Sequence, residues 1–442
     1  MNKFKLTLSL FLIGFLGLAQ ETQLTLKEAI DYALQNKSDA VKARLEVENS
    51  KYQIQEVRAN ALPQINIVGD ITNNPLLQKM AVPEEFGGGM MAFGKEWQST
   101  ATASLSQQLF NQAVFTGLKA AKTTREFYKI NAQLTEEQVI EKVANSYYEV
   151  YKTKSQLKTL DKTIENTTRV RDVIANLYNT GLAKKIDLDR TTVSLNNIKS
   201  NRQQLVNALV LQENALKYLI GMDINTSISF PENTFEVSKT AFVDNYSDTS
   251  VRTEIQLLEK QGELLALNKK AIRAQGYPSL SLEANFGYLG VGDQFPWFSK
   301  PIDGTYWTGF SSVGLKLVVP VFNGGSVRAK TRQAQIDIEK LEADKKDTQL
   351  AMDLAMHNAE TQINNSMITL NTQKENVNLA KEVLSDIENN YKNGLASLTD
   401  LLDAETSYAD AQNSYTNALL DYKLAEIQLI KAQGELKKLI QE

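Results

Sequence analysis

An internal duplication constrains the fold of this chain more than any other feature of its sequence. Three landmarks recur in the same order, each 212 to 215 positions after its first occurrence. Three matches at nearly one spacing indicate two copies of one structural unit. We therefore predict a first structural repeat over 20–230 and a second over 231–442. The matched segments are Arg58–Ile67 with Arg273–Leu282, Phe110–Asn111 with Phe322–Asn323, and Tyr178–Ala183 with Tyr391–Ala396.

Prolines divide each repeat by structure type, because proline disrupts helix interiors and is tolerated at strand starts and in loops. The stretches 84–230, 232–277 and 321–442 contain no proline, so long helices fit there. One predicted helix, over 112–179, would be about 100 Å long at about 1.5 Å per residue. We predict single helices over 25–60 and 249–275, and helical hairpins over 112–220 and 325–439.

The last helix of the second hairpin carries a heptad repeat. One heptad position is Leu or Tyr in six successive repeats, and the position three residues later is Ala in five successive repeats. An ordinary amphipathic core helix gives a related pattern, but a strict repeat of this length favours a coiled coil. The two sets are Leu401, Tyr408, Tyr415, Tyr422, Leu429 and Leu436, and Ala404, Ala411, Ala418, Ala425 and Ala432.

Each hairpin has a glycine where its first helical pattern ends. Gly181 and Gly394 both follow a Tyr-x-x sequence, which is typical of a helix C-terminus that needs positive φ. In the second hairpin, Ser397 and Asp400 then have the spacing of a capping box. We therefore predict a tight turn in each hairpin and a new helix beginning after Ser397.

Four segments of about ten residues alternate between apolar and polar side chains, the period of a β-strand. The polar positions are mostly Ser, Thr, Asn and Gln. A water-soluble sheet packed on helices gives the same alternation. The length also suits a strand that crosses a membrane. The predicted strands are 62–72, 98–109, 278–289 and 308–319.

Aromatic residues favour the membrane interpretation. All three tryptophans, Trp97, Trp297 and Trp307, lie at the outer ends of these strands, as in an interfacial girdle. The connecting loops, 73–96 and 291–306, are rich in Gly and Pro and are expected to be extracellular. Four strands cannot close a membrane barrel, so the barrel must be shared between chains. Two chains would give a filled eight-stranded barrel, whereas three give a twelve-stranded barrel wide enough for a pore.

The predicted fold class is therefore an α+β membrane protein with internal duplication. It combines a long antiparallel α-helical coiled-coil barrel with a transmembrane β-barrel shared by three chains, four strands from each. The N-terminus has Lys3 and Lys5, an apolar run and small residues before Gln20, which predicts a cleaved signal peptide over 1–19. An anchoring helix is the alternative, but the run is short for one. With no cysteine, the exported chain has no disulfides.

Composition and motifs argue against several other functions. The net charge is −4, without the basic surface of a nucleic-acid-binding protein. The single histidine, His357, leaves little material for a catalytic triad or a histidine metal site. Gly87–Gly89 lacks the Gly-Lys-Ser/Thr continuation of a phosphate-binding loop. We expect no enzyme activity, no cofactor and no metal site.

Taken together, the motifs identify the chain as similar to the TolC family of outer-membrane efflux proteins over its mature length. The resemblance rests on Leu24–Ala33, on the Arg-Ala-x-x-x-Pro sequences at 58–63 and 273–278, and on the paired Gly-Leu-Ala turns. The most specific motif is Tyr391-x-x-Gly394 followed by Asp400, Asp403 and Ala404. It resembles the periplasmic hairpin of that family.

This resemblance implies a homotrimer in the outer membrane, in contact with outer-membrane lipid and with a large periplasmic tunnel. The trimer would be the passive exit duct of a tripartite pump that expels small molecules. A periplasmic adaptor protein, itself bound to an inner-membrane pump, would dock on the hairpin turns. Alternative functions are a type I protein secretion duct and a coiled-coil surface protein without a channel. The implied docking residues are Gly181, Leu182, Ala183, Gly394, Leu395 and Ala396.

The resemblance also implies a constriction and a gate. Asp400 and Asp403 would form acidic rings at the closed end of the tunnel. The alternative is that Asp400 caps its helix and Asp403 is a solvated surface residue. In the best-known member of the family, an arginine near the second turn binds an aspartate of the first hairpin, whose position matches Asp187. Here the arginine position is Ala396, so the candidate gate contacts are Asp187, Lys184, Lys185 and Tyr391.

Overall fold

The computed structural model describes residues 22–231, 252–298 and 304–440. The predicted signal peptide lies outside these residues, as does the beginning of the helix predicted from 249. Two short 3-10 helices cover Glu84–Phe86 and Leu436–Ile440. The α-helices are α1 (Leu26–Asn36), α2 (Ser38–Ala59), α3 (Gln112–Asn179), α4 (Lys185–Ile220), α5 (Thr253–Ala274), α6 (Ser326–Lys392) and α7 (Leu398–Gln433). The strands are β1 (Thr22–Gln23), β2 (Gln64–Asn73), β3 (Lys79–Ala81), β4 (Met90–Ala92), β5 (Trp97–Phe110), β6 (Ile228–Ser229), β7 (Ser279–Gly292) and β8 (Tyr306–Val318).

The segment predicted as one helix over 25–60 is two helices, α1 and α2, which meet at Lys37. The Lys37 backbone is extended, and its Nζ donates a hydrogen bond to the Tyr218 carbonyl oxygen at 3.1 Å. The turn after α4 passes close by, since a Cβ on Gly221 would lie 2.9 Å from the Asn36 carbonyl oxygen. The prediction of one uninterrupted helix is therefore wrong. At the break, the chain contacts a segment about 180 positions further along the sequence.

The last helix ends earlier than the predicted boundary at 439. Gly434 caps α7 with φ 76°, and the Arg252 Nη1 donates a hydrogen bond to the Ala432 carbonyl oxygen at 2.5 Å. Arginine near a helix C-terminus satisfies carbonyl groups that have no partner within the helix. The heptad pattern continues past this end to Leu436, which is buried in the following 3-10 helix.

The four long strands form one antiparallel sheet in the order β2-β5-β7-β8. Cross-strand register aligns apolar positions in some rows and polar positions in the alternating rows. The sheet therefore has an apolar face and a polar face, as the alternation predicts. An apolar-face row contains Ile67, Ala103, Phe286 and Ser311, and the adjacent polar-face row contains Asn66, Ser104, Asn285 and Ser312.

The outer strands of this sheet are uncovered. In the described residues β2 pairs only with β5 and β8 only with β7, so each has one open edge. Both strands are exposed along their whole length, with Ile67 at 80 % and Val313 at 77 % exposure. The alternative of a sheet packed on helices of the same chain is not what the structure shows.

The chain divides into two compact units, one from 1–45, 129–256 and 345–442 and one from 46–128 and 257–344. The second unit contains the four-stranded sheet. The core of the first unit surrounds the fully buried Tyr147, whose hydroxyl donates a hydrogen bond to the Leu24 carbonyl oxygen at 2.9 Å. Among the helices described, none has the length and apolar composition required to cross a membrane.

Candidate functional site

The two interhelical turns have the same geometry. Gly181 and Gly394 adopt φ values of 80° and 72°, as predicted. In the first turn the Leu182 N–H donates to the Leu177 carbonyl oxygen at 2.8 Å. In the second turn the Leu395 N–H donates to the Asn390 carbonyl oxygen, also at 2.8 Å. These are the six-to-one hydrogen bonds of a Schellman motif, which end α3 and α6 in fixed turns.

Each turn presents a leucine to solvent. Leu182 is 77 % exposed and Leu395 is 79 % exposed, whereas the adjacent Ala183 and Ala396 are half-buried. The leucines occupy equivalent positions in the two repeats and are held by the same backbone hydrogen bonds. An exposed apolar side chain on a rigid turn is suited to insertion into a partner's surface.

Asp400 forms the predicted capping box at the start of α7. Its Oδ2 accepts hydrogen bonds from the Ser397 N–H at 2.8 Å and the Ser397 hydroxyl at 2.7 Å, while the Asp400 N–H donates to Ser397 Oγ at 3.2 Å. The hydrogen bond from the Ser397 hydroxyl, followed by that from the Ser397 backbone, lowers the pKa of the Asp400 carboxyl. The capping role, considered as the alternative for this residue, is therefore present.

Asp403 lies one turn further along α7 and is exposed. In the described part of the chain its carboxylate has no salt bridge. Because residues three apart lie on one helix face, Asp400 and Asp403 present two carboxylates to the same side of α7. Of the two, Asp403 has the carboxylate that is not engaged in capping.

The candidate gate residues separate into two groups. Tyr391 packs against a small buried cluster that includes Leu401 and Ala404. Burial, followed by the nearby Asp187 carboxylate, raises the pKa of the Tyr391 hydroxyl. The Asp187 carboxylate therefore acts electrostatically on the Tyr391 hydroxyl. Lys184 and Lys185 are exposed at the start of α4, and within the described residues neither forms a salt bridge.

A buried carboxylate near these turns was not predicted from the sequence. Glu405 is only 7 % exposed and accepts a hydrogen bond from the Thr167 hydroxyl at 3.2 Å. Burial raises the pKa of the Glu405 carboxyl, and Glu388 raises it further. Glu405 lies four residues after Leu401, so it falls on the same helix face as the apolar heptad positions. That spacing was the available signal.

On the polar face of the sheet, charged and amide side chains pair across β7 and β8. The Lys316 Nζ lies 3.3 Å from Glu283 Oε1, and the Asn285 side-chain amide donates to the Ser312 hydroxyl at 3.4 Å. The remaining positions of this face in β5 are small and polar. They are Gln98, Thr100, Thr102, Ser104 and Ser106.

The aromatic residues cluster at the loop end of the sheet. The Trp97 and Phe295 ring centres are 5.4 Å apart, and the Trp297 and Trp307 ring centres are 6.2 Å apart, both pairs edge to face. The Trp297 indole N–H donates to the Ser99 hydroxyl at 2.9 Å. All three tryptophans thus lie at one end of the strands, as the sequence predicts. Indole rings with a satisfied N–H suit the boundary between lipid and water.

The single histidine and the triple glycine each lie in ordinary local structure. His357 is largely exposed on α6 and lies 3.5 Å from Glu360. Gly87–Gly89 forms a turn with positive φ at each glycine. Within the described ranges no group of three His, Asp or Glu side chains is placed to hold a metal ion.

Known proteins resemble this chain over most of its length. Residues 29–222 and 259–435 match the family described as outer membrane efflux protein. Outer membrane protein TolC of Escherichia coli K12 is 22 % identical over 444 residues, covering 98 % of this chain and 86 % of TolC. Toluene efflux pump outer membrane protein TtgC of Pseudomonas putida is 21 % identical over 435 residues, covering 92 % of this chain and 82 % of TtgC.

A solved structure has the same fold. The Campylobacter jejuni CmeC outer membrane channel matches with a TM-score of 0.74 at 17 % identity, covering 93 % of this chain and 85 % of CmeC. The predicted fold class is thereby confirmed, and the family match confirms the predicted outer-membrane localisation. The duplicated hairpins and the four-stranded sheet agree with the sequence match. The chain belongs to the outer membrane efflux protein family.

Proposed function

We propose that three copies of this chain form an outer-membrane channel that is the passive exit duct of a tripartite efflux pump. The observation that carries the proposal is the four-stranded sheet, which has two open edges and an uncovered apolar face in the described residues. A sheet in lipid must have all of its backbone hydrogen bonds satisfied, so its edges must pair with another chain. Closure by three chains produces twelve strands.

The polar face is suited to line a water-filled lumen and the apolar face to contact lipid. A twelve-stranded barrel has a wider interior than an eight-stranded barrel, in which side chains fill the lumen. The aromatic end of the sheet then lies at one membrane interface. The helical hairpins of three chains would form the periplasmic tunnel.

Efflux of small molecules is favoured over protein secretion. The relative TtgC is named as the outer membrane protein of a toluene efflux pump. A coiled-coil surface protein has no need of a sheet with an exposed apolar face, so that alternative explains less of the structure. The substrate range would be set by the inner-membrane pump, because the proposed role of the duct is passive.

The channel prediction is tested by conductance in planar bilayers with mass measurement in detergent. We expect a trimer that conducts ions. Asp403→Asn should lower cation selectivity, measured as a smaller reversal potential in a salt gradient, because an acidic ring attracts cations. Asp353→Asn, the same change of charge at an exposed position of α6 well before the Gly394 turn, is the control. A water-soluble monomer without conductance contradicts the proposal.

The same recordings test the gate. The Asp187 carboxylate acts electrostatically on the half-buried Tyr391, and we include both residues in the proposed contacts that hold the closed state. Asp187→Ala is therefore expected to raise the resting conductance. An unchanged resting conductance removes Asp187 from the gate.

The adaptor would dock on the two turns through Leu182 and Leu395. Replacing both with Asp should abolish pump-dependent efflux in cells, because a charge cannot be buried in an apolar contact without a partner. Conductance of the purified channel should not change. The control replaces both leucines with Met, which keeps the side chain apolar. Normal efflux by the Asp variant would show that the adaptor docks elsewhere.

A further inference from the structure

Helices α5 and α6 pack against each other in antiparallel register in the part nearest the sheet. A Cβ on Gly262 would lie 3.3 Å from Leu341 Cδ2, and one on Gly276 would lie 3.9 Å from Val327 Cγ1. Between these contacts, the Lys269 Nζ donates a hydrogen bond to the Gln335 side-chain oxygen. A side chain at Gly262 would press on Leu341, whereas Gly276 lies at ordinary contact distance from Val327.

An open cleft of about 760 Å³ lies along this helix pair. Its lining is basic, with two cations one turn apart on each helix. Thr331 and Gln335 supply the remaining polar groups. The four cations are Lys269 and Arg273 on α5, and Arg328 and Arg332 on α6.

These cations have no acidic partners. In the described residues, none of the four forms a salt bridge with a carboxylate, whereas Lys260, two turns earlier on α5, lies 2.9 Å from Glu126 and 3.0 Å from Glu263. Like charges one helical turn apart destabilise a helix. Four unpaired cations around one cleft therefore favour an anionic ligand over an empty cleft.

The cluster is specific to the second repeat. At the spacing of 215 that separates Arg58 from Arg273, Lys269 and Arg273 correspond to Ile54 and Arg58. At the spacing of 212 that separates Phe110 from Phe322, Arg328 and Arg332 correspond to Thr116 and Ala120. Only one of the four cations has a basic counterpart in the first repeat. The duplicated architecture thus forms without these charges, which need an explanation other than folding of the helix pair.

The cleft adjoins the strands along the chain. Helix α5 ends at Ala274 and β7 begins at Ser279, while β8 ends at Val318 and α6 begins at Ser326. If the sheet spans the outer membrane, as the proposed function requires, the last turns of α5 and the first turns of α6 lie at the level of the inner-leaflet head groups. Basic clusters beside membrane-spanning segments attract anionic lipids, and this placement selects a lipid as the source of the anion.

We propose that Lys269, Arg273, Arg328 and Arg332 bind the phosphate head group of an anionic phospholipid at the periplasmic side of the outer membrane. The guanidinium groups can each bind a phosphate through two parallel hydrogen bonds, and Lys269 adds a point charge. This inference rests on the proposed membrane placement of the sheet.

The test measures lipid retained by the full-length purified protein in detergent, using native mass spectrometry. The protein is offered phosphatidylglycerol or phosphatidylcholine in equal amounts. Wild type should retain about tenfold more of the anionic lipid, and the variant with all four cations changed to Gln should lose this preference. The matched control changes four exposed lysines elsewhere to Gln and should keep the preference. The control positions are Lys199, Lys346, Lys374 and Lys381.

Two further measurements separate the alternatives. Conductance and trimer mass of the variant should equal those of wild type, so a loss of lipid preference is not a loss of the channel. If the fourfold variant does not assemble, the Arg328→Gln, Arg332→Gln double variant replaces it, with about half the loss in preference. The proposal is overturned if variant and wild type retain the lipids equally. It is also overturned if inorganic phosphate stabilises wild type against heat as much as phosphatidylglycerol does.

Discussion

At the second interhelical turn, two side chains satisfy the backbone groups that a helix start leaves unpaired. Ser397 and Asp400 exchange hydrogen bonds, and the preceding Gly394 supplies the positive φ that reverses the chain. The first turn has the glycine but lacks the capping box, since Lys184 caps α4 without a side-chain hydrogen bond. The two turns are therefore alike in backbone and different in capping.

Ser397→Ala should loosen the start of α7 by about 1 kcal/mol, the usual cost of losing a capping side chain. Hydrogen exchange of peptides that cover 393–405 would measure this as faster exchange. Ser407→Ala, at an exposed position inside the same helix, is the control and should leave exchange unchanged. Equal exchange in both variants contradicts the capping role.

The same site predicts a dependence on pH. The pKa of the Asp400 carboxyl is lowered from its ordinary value of 3.8, so its contribution to the helix start is complete above that value. The contribution is lost as the pH falls through the lowered folded-state pKa. The difference in exchange between wild type and Asp400→Asn should be full at neutral pH and vanish in strong acid. A difference that persists at the lowest pH contradicts this assignment.

At the scale of elements, pairing of β7 with β8 requires a glycine where an aromatic ring of one strand lies over the other strand. A Cβ on Gly290 of β7 would lie 2.7 Å from Trp307 Cε2, so the indole ring of β8 packs directly over this glycine. Gly314 of β8 has nothing within 4 Å of the same hypothetical atom. The two glycines thus differ in whether an aromatic ring occupies the space above them.

Gly290→Ala should destabilise the assembled protein by about 1 to 3 kcal/mol, because the added methyl group displaces the Trp307 ring. Thermal unfolding in detergent, followed by tryptophan fluorescence, measures the loss and the change in ring environment. Gly314→Ala is the matched control and should leave both unchanged. Equal effects of the two substitutions would mean that the ring contact contributes nothing specific.

At the scale of the whole molecule, the open edges of β2 and β8 would have to meet between chains. The chain contains no cysteine, so pairs can be introduced without background. Ile65, Ile67 or Ile71 of β2 is changed to Cys together with Ser311, Val313 or Leu315 of β8, all on the apolar face.

Some of these nine pairs should form covalent trimers after oxidation, because a disulfide forms only when the two Cβ atoms lie about 4 Å apart. Denaturing gels without reductant would show them. Variants with a single cysteine are the control and cannot exceed a covalent dimer. If every pair stays monomeric, β2 and β8 do not meet and the barrel closes in another way.

Features that depend on a few neighbouring residues were predictable from the sequence. The positive φ at Gly181 and Gly394, the capping box at Ser397 and the separation of apolar from polar strand faces all follow from local spacing. The tryptophan positions at one end of the sheet were equally predictable, because strand pairing aligns residues at known offsets.

Features set by distant contacts were decided only by the tertiary structure. The break at Lys37 coincides with the turn at Gly221, the burial of Glu405 depends on Thr167, and the basic cleft exists because α5 and α6 lie side by side. Local spacing contains no information about which segments meet in three dimensions. The sequence by itself therefore determined the kinds of elements and their faces, and packing between distant segments decided where helices break and which charges are buried or gathered.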